Sequence, residues 1–281
     1  MIDLHAHSNF SDGSLTPAAL AEAGRAAGLA ALALTDHDTV DGLPAFLEAC
    51  AKQGAPLGIA GLEISADVEV GTLHMLGYFI DPRNRPLREA LEKLRASREE
   101  RNAEILATLA RLGMPLAESD LAPFAGDQVA GRPHIAQAMV AKGYVKSFRE
   151  AFDRFLAKGC EAYVSRYRLT PQDSIALVLG AGGVPVLAHP FTLHRKGAAL
   201  NRYVAELKDA GLAGMEVFYP EHNKRQTARY LALARELDLA ATGGTDFHGA
   251  IMPKIRLGIG QGRFAVPDSC LDELMAKRGR R

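Results

Sequence analysis

The 281-residue chain carries no net charge, because 33 lysine and arginine side chains balance 33 aspartate and glutamate side chains. A protein that grips long nucleic acid by bulk electrostatics needs a basic footprint, so this balance argues against that class and leaves a small phosphorylated ligand open. No run of about 18 apolar residues occurs, which excludes a membrane-spanning helix of the usual kind. With 48% hydrophobic and 23% charged residues, the composition is that of a globular protein and not of a disordered one. Cysteine is scarce. Cys50, Cys160 and Cys270 are odd in number, widely spaced and without a C-x-x-C pair, which argues against a disulfide framework and against a thiolate zinc site. The opening MIDLHAHSNF has neither a basic n-region nor an apolar h-region, so the expected location is cytoplasmic. Against these absences stand nine histidines.

Short apolar runs of strand character alternate with Ala/Leu-rich helical segments, the α/β pattern. Strands are expected over 1–4, 30–34, 57–62, 72–79, 184–188, 214–218 and 240–242, the fourth antiparallel to the third through a turn at 67–71. Helices are expected over 17–27, opened by the N-cap Thr16 and by Pro17 at the first helical position, and over 40–52, 171–181, 200–210 and 222–237. Between residues 83 and 163 the strand signal disappears and helices are expected over 87–112, 133–142 and 147–156. The organisation this predicts is a barrel domain formed by residues 1–82 and 164–281, with a helical subdomain, residues 83–163, inserted in it. The basic end, residues 277–281, is expected to be a frayed, solvated tail.

The histidines and carboxylates fall at the strand ends. His5-Ala6-His7 closes the first strand, with both imidazoles on one face by period-two alternation, and Asp12 follows in the adjoining turn. Thr35-Asp36-His37-Asp38 closes the second strand and Glu63 the third, while His74 lies inside the fourth. His189 follows the strand after the insertion, and Asp246 and His248 follow the last. In an α/β barrel the C-terminal strand ends converge on one face, where chemistry is built. Nine candidate ligands therefore meet there: His5, His7, Asp12, His37, Glu63, His74, His189, Asp246 and His248. Imidazole and carboxylate without thiolate suit Mn²⁺, Fe²⁺ or Zn²⁺. Nine ligands exceed the needs of one ion and suit two or three, close enough to activate water and neutralise the oxygens of a phosphoryl group. Asp36 is either an acceptor orienting a ligand or a cap, Asp38, Asp41 and Gly42 form a turn and cap, and His194 and His222 are expected on the surface.

These residues resemble the PHP (polymerase and histidinol phosphatase) family. The matching pieces are Asp3-Leu4-His5-Ala6-His7 with Ser11-Asp12-Gly13, Leu34-Thr35-Asp36-His37-Asp38 through Gly42, Gly61-Leu62-Glu63-Ile64-Ser65, Leu187-Ala188-His189-Pro190 and Gly243-Gly244-Thr245-Asp246-Phe247-His248. The resemblance implies a distorted (β/α)₇ barrel carrying up to three metal ions, often manganese. It would place His5, His7, Glu63 and Asp246 on one ion, Asp12, His37 and His248 on a second, and Glu63, His74 and His189 on a third. The helical insertion resembles the branch that includes bacterial 3′,5′-nucleoside bisphosphate phosphatases and enzymes that trim the 5′ ends of short RNAs.

In that insertion the apolar stripe Leu87, Leu91, Leu94, Ile105, Leu109, Leu112 is interrupted at Arg98, Arg101 and Asn102, where polar groups meet an otherwise apolar face. Guanidinium groups there suit bidentate phosphate binding. The segment Ser97-Arg98-Glu99-Glu100-Arg101-Asn102 and the pair Arg132 and His134 are therefore the expected substrate contacts, with His134 a candidate to protonate the leaving oxygen. The expected activity is removal of the 3′-phosphate from a nucleoside 3′,5′-bisphosphate, on a small-molecule substrate or a short oligoribonucleotide, without a membrane or an obligate protein partner. The competing readings are a 5′→3′ exoribonuclease on short 5′-phosphorylated RNA, an amide or ring hydrolase, disfavoured because no strand ends in lysine, and a non-catalytic metal-binding module.

Overall fold

The computed structural model of the chain describes residues 1–125, 130–262 and 264–278. Seven strands form one sheet in sequential order: β1 (Ile2–Asp3), β2 (Ala31–Leu34), β3 (Leu57–Ala66), β4 (Leu73–Tyr78), β5 (Val184–Leu187), β6 (Gly214–Phe218) and β7 (Ala240–Gly243). Pairing is parallel except where β4 runs antiparallel to both β3 and β5. The sheet curls back until Leu4 N donates to Gly243 O at 3.2 Å and Ala6 bridges Phe247, which brings the first strand to the last and nearly closes a barrel. Strands buried on both faces must be apolar along their length, and β2, β5 and β7 are buried at every residue.

The helices that follow the strands are α1 (Pro17–Ala26), α2 (Leu43–Cys50), α3 (Arg85–Arg111), α4 (Glu118–Ala125), α5 (Arg132–Ala141), α6 (Phe148–Ala151, continued as a π-helical turn over Phe152–Leu156), α7 (Pro171–Gly180), α8 (Gly197–Asp209), α9 (Lys224–Glu236) and α10 (Ser269–Arg278). Thr-Pro pairs open α1 and α7, the threonine hydroxyl accepting from the N–H three residues on and the proline sitting where no N–H is needed. No helix among the described residues is long and apolar enough to cross a membrane.

Two compact units result, one comprising Met1–Glu89 and the chain from Arg168 onward, the other Ala90–Tyr167. The barrel unit has a core of Ile2, Leu4, Ile59, Leu76, Tyr78, Val184, Val186 and Leu274 among others, and the Tyr78 hydroxyl donates to Leu4 O at 2.8 Å. The helical unit has its own core, built on Ile105, Leu109, Leu121, Ile135, Met139 and Leu156.

Several expectations are corrected. Glu63 lies inside β3, not at its end, because β3 outlasts its parallel partner β2 at Ala60 and continues to Ala66 against β4. Helices α4 and α10 were not foreseen: α4 carries Pro123 inside it, and α10 follows a long irregular stretch. Leu112 lies beyond α3 and is exposed, so the buried stripe ends at Leu109. Lys277 and Arg278 are not a frayed tail: Lys277 Nζ pairs with Asp238 Oδ1 at 2.9 Å and Arg278 lies over the Phe79 ring. Residues 279–281 lie outside the described residues. His222 is buried against Tyr219, Phe191 and Tyr230, its Nδ1 donating to Val217 O at 2.9 Å, whereas His194 is exposed as expected.

Candidate metal centre

All nine expected ligands belong to the barrel unit, and they converge on Glu63. Its Oε2 lies 3.4 Å from both His5 Nε2 and His7 Nε2 and 3.0 Å from His37 Nδ1. Its Oε1 lies 2.9 Å from His74 Nδ1 and 3.1 Å from His189 Nε2. Asp246 Oδ1 is 3.0 Å from His7 Nε2 and 3.3 Å from His5 Nε2. On the other side Asp12 approaches His248 Nε2 at 3.2 Å and His37 Nε2 at 3.8 Å. Three ligand-like groups follow: His5, His7 and Asp246; His7, Asp12, His37 and His248; and His37, Glu63 and His74. His189 adjoins the last through Glu63.

Local backbone geometry explains how the strands deliver these groups. His5 and His7 share a face because the strand alternates, and both present Nε2 to the same two carboxylates. Gly244 lies where a Cβ would come within 2.3 Å of His5 Cβ, so the turn carrying Asp246 can approach β1 only with glycine there. Asp38, His189 and Asp246 take positive φ values of 53°, 22° and 54°, a conformation that L-residues avoid and that clusters where function over-determines the chain.

The tautomers are set by outward partners. His248 Nδ1 donates to Asp246 O at 2.7 Å and His5 Nδ1 to Glu216 Oε1 at 3.0 Å. His189 Nδ1 donates to Thr192 Oγ1 at 3.1 Å. Ser11 gives its proton to Asp36 Oδ1 at 2.7 Å, so its lone pair faces His7 Nδ1 at 3.3 Å. Asp36 also takes the N–H and hydroxyl of Ser8, which decides its role: it orients His7 through Ser11 and caps no helix. Asp38 Oδ1 accepts from Ser65 N at 2.9 Å, and Gly42 precedes α2 as its N-cap. In four of the six rings Nε2 is thereby the nitrogen turned inward, toward the carboxylates. Tyr219 Oη donates to Asp246 Oδ2 at 2.9 Å and leaves Oδ1 facing the histidines.

The electrostatics match this geometry. Burial would neutralise Glu63, but His74, His37 and His5 hold it well below the usual carboxylate range. Asp12, against the same cost of burial, is lowered by His248 and His37, and Asp246 by His5 and His248. Burial opposes protonation of His248, yet Asp12 and Asp246 raise it to about 10. Burial likewise opposes the charging of His5, and Asp246, Glu216 and Glu63 outweigh it. For His37 burial wins over Glu63 and Asp12, lowering it to about 4. Buried His5 Nε2, His7 Nε2 and His37 Nδ1 make no hydrogen bond even with carboxylate oxygens 3.0–3.4 Å away. Nitrogens so placed, unbonded and facing carboxylates, fit hard-to-borderline divalent cations with mixed N/O ligands.

In the helical unit Arg101 and Asn102 are buried, and an Arg101 Nη2 donates to Asn102 Oδ1 at 2.7 Å. Asn102 Nδ2 donates to Ala130 O, and Arg98 passes beside Gly131. His134, also buried, accepts from Gly131 N through Nδ1 at 3.0 Å, so its proton resides on Nε2. Glu99 and Glu100 point to solvent. Arg132 donates to Leu156 O at 3.0 Å and lies over the rings of Phe152 and Tyr163, so it braces the unit.

Sequence reasoning missed Glu216 and Tyr219. The one signal for Glu216 was a lone carboxylate inside the otherwise apolar strand Gly214–Phe218.

A family model described as PHP domain matches residues 3–178. The chain is 33% identical over 248 residues to the 3′,5′-nucleoside bisphosphate phosphatase of Chromobacterium violaceum, covering 88% of this chain and 87% of that protein. It is 33% identical over 246 residues to a 5′-3′ exoribonuclease of Haemophilus influenzae, covering 88% and 89%. A crystal structure of a protein from Bifidobacterium adolescentis, assigned to the metal-dependent phosphoesterases, superposes with a TM-score of 0.86 at 32% identity, covering 98% of this chain and 96% of that one.

Proposed function

This chain belongs to the PHP domain family, and from that premise we propose that it is a metal-dependent phosphoester hydrolase that removes the 3′-phosphate of a nucleoside 3′,5′-bisphosphate, such as adenosine 3′,5′-bisphosphate, leaving the 5′-monophosphate. The observation that carries the reading is the set of inward-facing imidazole nitrogens around Glu63, Asp12 and Asp246. His5, His7, Glu63 and Asp246 would hold one ion, Asp12, His37 and His248 a second, and Glu63, His74 and His189 a third, with Mn²⁺ the first choice. When bound, such ions supply Lewis acidity and a lowered pKa for water near a phosphoryl group.

The protein's own residues do the rest. Glu216, Ser11, Thr192 and the Asp246 carbonyl hold each Nδ1 outward, so that Nε2 is the nitrogen presented to an ion. Arg98, Arg101, Asn102 and the Nε2–H of His134 form a donor-rich cluster suited to the second phosphate. Glu99 and Glu100, acidic and exposed, do not suit an anion, and Arg132 is committed to bracing. Gly131 N donates to His134 Nδ1, which places the ring hydrogen on Nε2; from there it would donate to a phosphate oxygen or protonate the departing 3′-oxygen.

The equal identity to an exoribonuclease favours a second reading, trimming of short 5′-phosphorylated RNA with the same groups. The test is a manganese-loaded panel of adenosine 3′,5′-bisphosphate, its 2′,5′ isomer, histidinol phosphate and a 5′-phosphorylated trinucleotide, with products followed in time. Fast phosphate release from the first and an intact trinucleotide support the monoesterase; stepwise 5′-mononucleotide release supports the exonuclease; no turnover on any phosphoester revives a non-catalytic metal module.

A further inference from the structure

Glu216 stands at a junction between two of the ligand groups. It is fully buried on β6, immediately before an irregularity in the β6–β7 register that falls between Glu216 and Phe218. Such bulges re-aim a side chain. One oxygen, Oε1, receives His5 Nδ1–H at 3.0 Å, and the other, Oε2, receives the main-chain N–H of His189 at 2.8 Å.

The second bond matters because His189 is strained. Its φ of 22° and ψ of 67° lie outside the ordinary basins, and Pro190 narrows its choices further. A conformation of that kind persists only where its surroundings hold it, and the holding groups are Glu216 at the N–H and Thr192 at the ring. One carboxylate therefore fixes the tautomer of a ligand in the His5–His7–Asp246 group and the backbone of a ligand beside the Glu63–His74 group.

We propose that Glu216 is a positioning residue that couples metal loading at these two groups, so that filling one raises the affinity of the other. An ion on His5 Nε2 draws electron density from the ring and strengthens its Nδ1–H bond to Glu216. A carboxylate held more firmly at Oε1 is held more firmly at Oε2, which steadies the His189 turn and its inward Nε2. Coupling of this kind is reciprocal. The inference rests on the reading that the cluster binds divalent metal, but it does not depend on which phosphoester is the substrate.

The experiment counts and titrates Mn²⁺ on the full chain by calorimetry and by electron paramagnetic resonance, comparing wild type with Glu216→Gln. Glutamine offers one acceptor oxygen and an NH₂ group, so only one of the two donors keeps a partner. The expected result is a loss of about 10- to 100-fold in Mn²⁺ affinity at the weaker class of site, the range typical of outer partners of metal ligands, together with loss of positive cooperativity. Tyr78→Phe removes a buried hydroxyl of the same barrel core and serves as the stability control; it should lower thermal stability and leave the cooperativity intact. If Glu216→Gln does not fold, Glu216→Asp, which keeps the charge and withdraws it by one methylene, is expected to show the same loss of coupling. Wild-type affinity, stoichiometry and cooperativity in whichever of these variants folds would overturn the inference. Absence of Mn²⁺ binding by wild type would instead overturn the metal reading itself.

Discussion

Glu63 is approached by five imidazoles, those of His5, His7, His37, His74 and His189, and no other carboxylate in the centre has so many neighbours. Glu63→Gln removes the charge these rings share. Breaking a buried charged cluster by deleting one partner costs about 3–5 kcal/mol of folding stability, read from denaturant unfolding of the metal-free protein; the bound Mn²⁺ count should also fall, and phosphate release at saturating Mn²⁺ should fall with it. In the helical unit, Arg101→Ala should raise KM for the bisphosphate by about 10- to 100-fold, the worth of a charge-assisted hydrogen bond, and leave kcat/KM for a 3′-monophosphate unchanged. Much of the residue scale was legible in the sequence: His-x-His on a strand end implies two rings on one face, and the nine candidate ligands do come together. What was not legible depends on contacts distant along the chain. Nothing local distinguishes Glu216 from a tolerated strand glutamate, because its partners, His5 and His189, lie 211 and 27 residues away. His222 reads as a surface residue until Phe191 and Tyr230 are seen to enclose it.

At the scale of elements, close approach of the Gly244 turn to β1 joins the two ends of the barrel. A methyl group at Gly244 would lie 2.3 Å from His5 Cβ and 2.4 Å from its backbone nitrogen. Gly244→Ala should therefore cost about 1–3 kcal/mol of stability, the usual penalty of overpacking, read from denaturant unfolding, and should also weaken Mn²⁺ binding because His5 must shift. The strand order and the antiparallel β4 were accessible from hydrophobic runs and the turn at 67–71. The true length of β3 was not, since its second half is stabilised by β4 alone, and α4 was obscured by the proline within it.

For the whole molecule, the net charge is zero, and the charge of the histidine cluster changes with pH. His248, raised to about 10, and His5, raised well above its ordinary value, keep protons at neutral pH that metal ions must displace. Mn²⁺ binding should thus release protons, seen as a dependence of the calorimetric enthalpy on buffer ionisation, and affinity should rise with pH. The sign for stability is opposite. A histidine whose folded pKa exceeds its unfolded value of about 6.5 stabilises the metal-free fold fully below that pH and loses this contribution as pH rises through about 10. The metal-free protein should accordingly lose thermal stability between pH 7 and pH 10, and the increase in melting temperature produced by Mn²⁺ should grow over the same range.

The proposed recognition of a second phosphate is tested most directly by one ratio. kcat/KM for adenosine 3′,5′-bisphosphate is to be compared with kcat/KM for adenosine 3′-monophosphate on the same Mn²⁺-loaded protein. Two charge-assisted contacts to the 5′-phosphate predict a preference of about 100-fold or more for the bisphosphate. Equal values for the two substrates would contradict it.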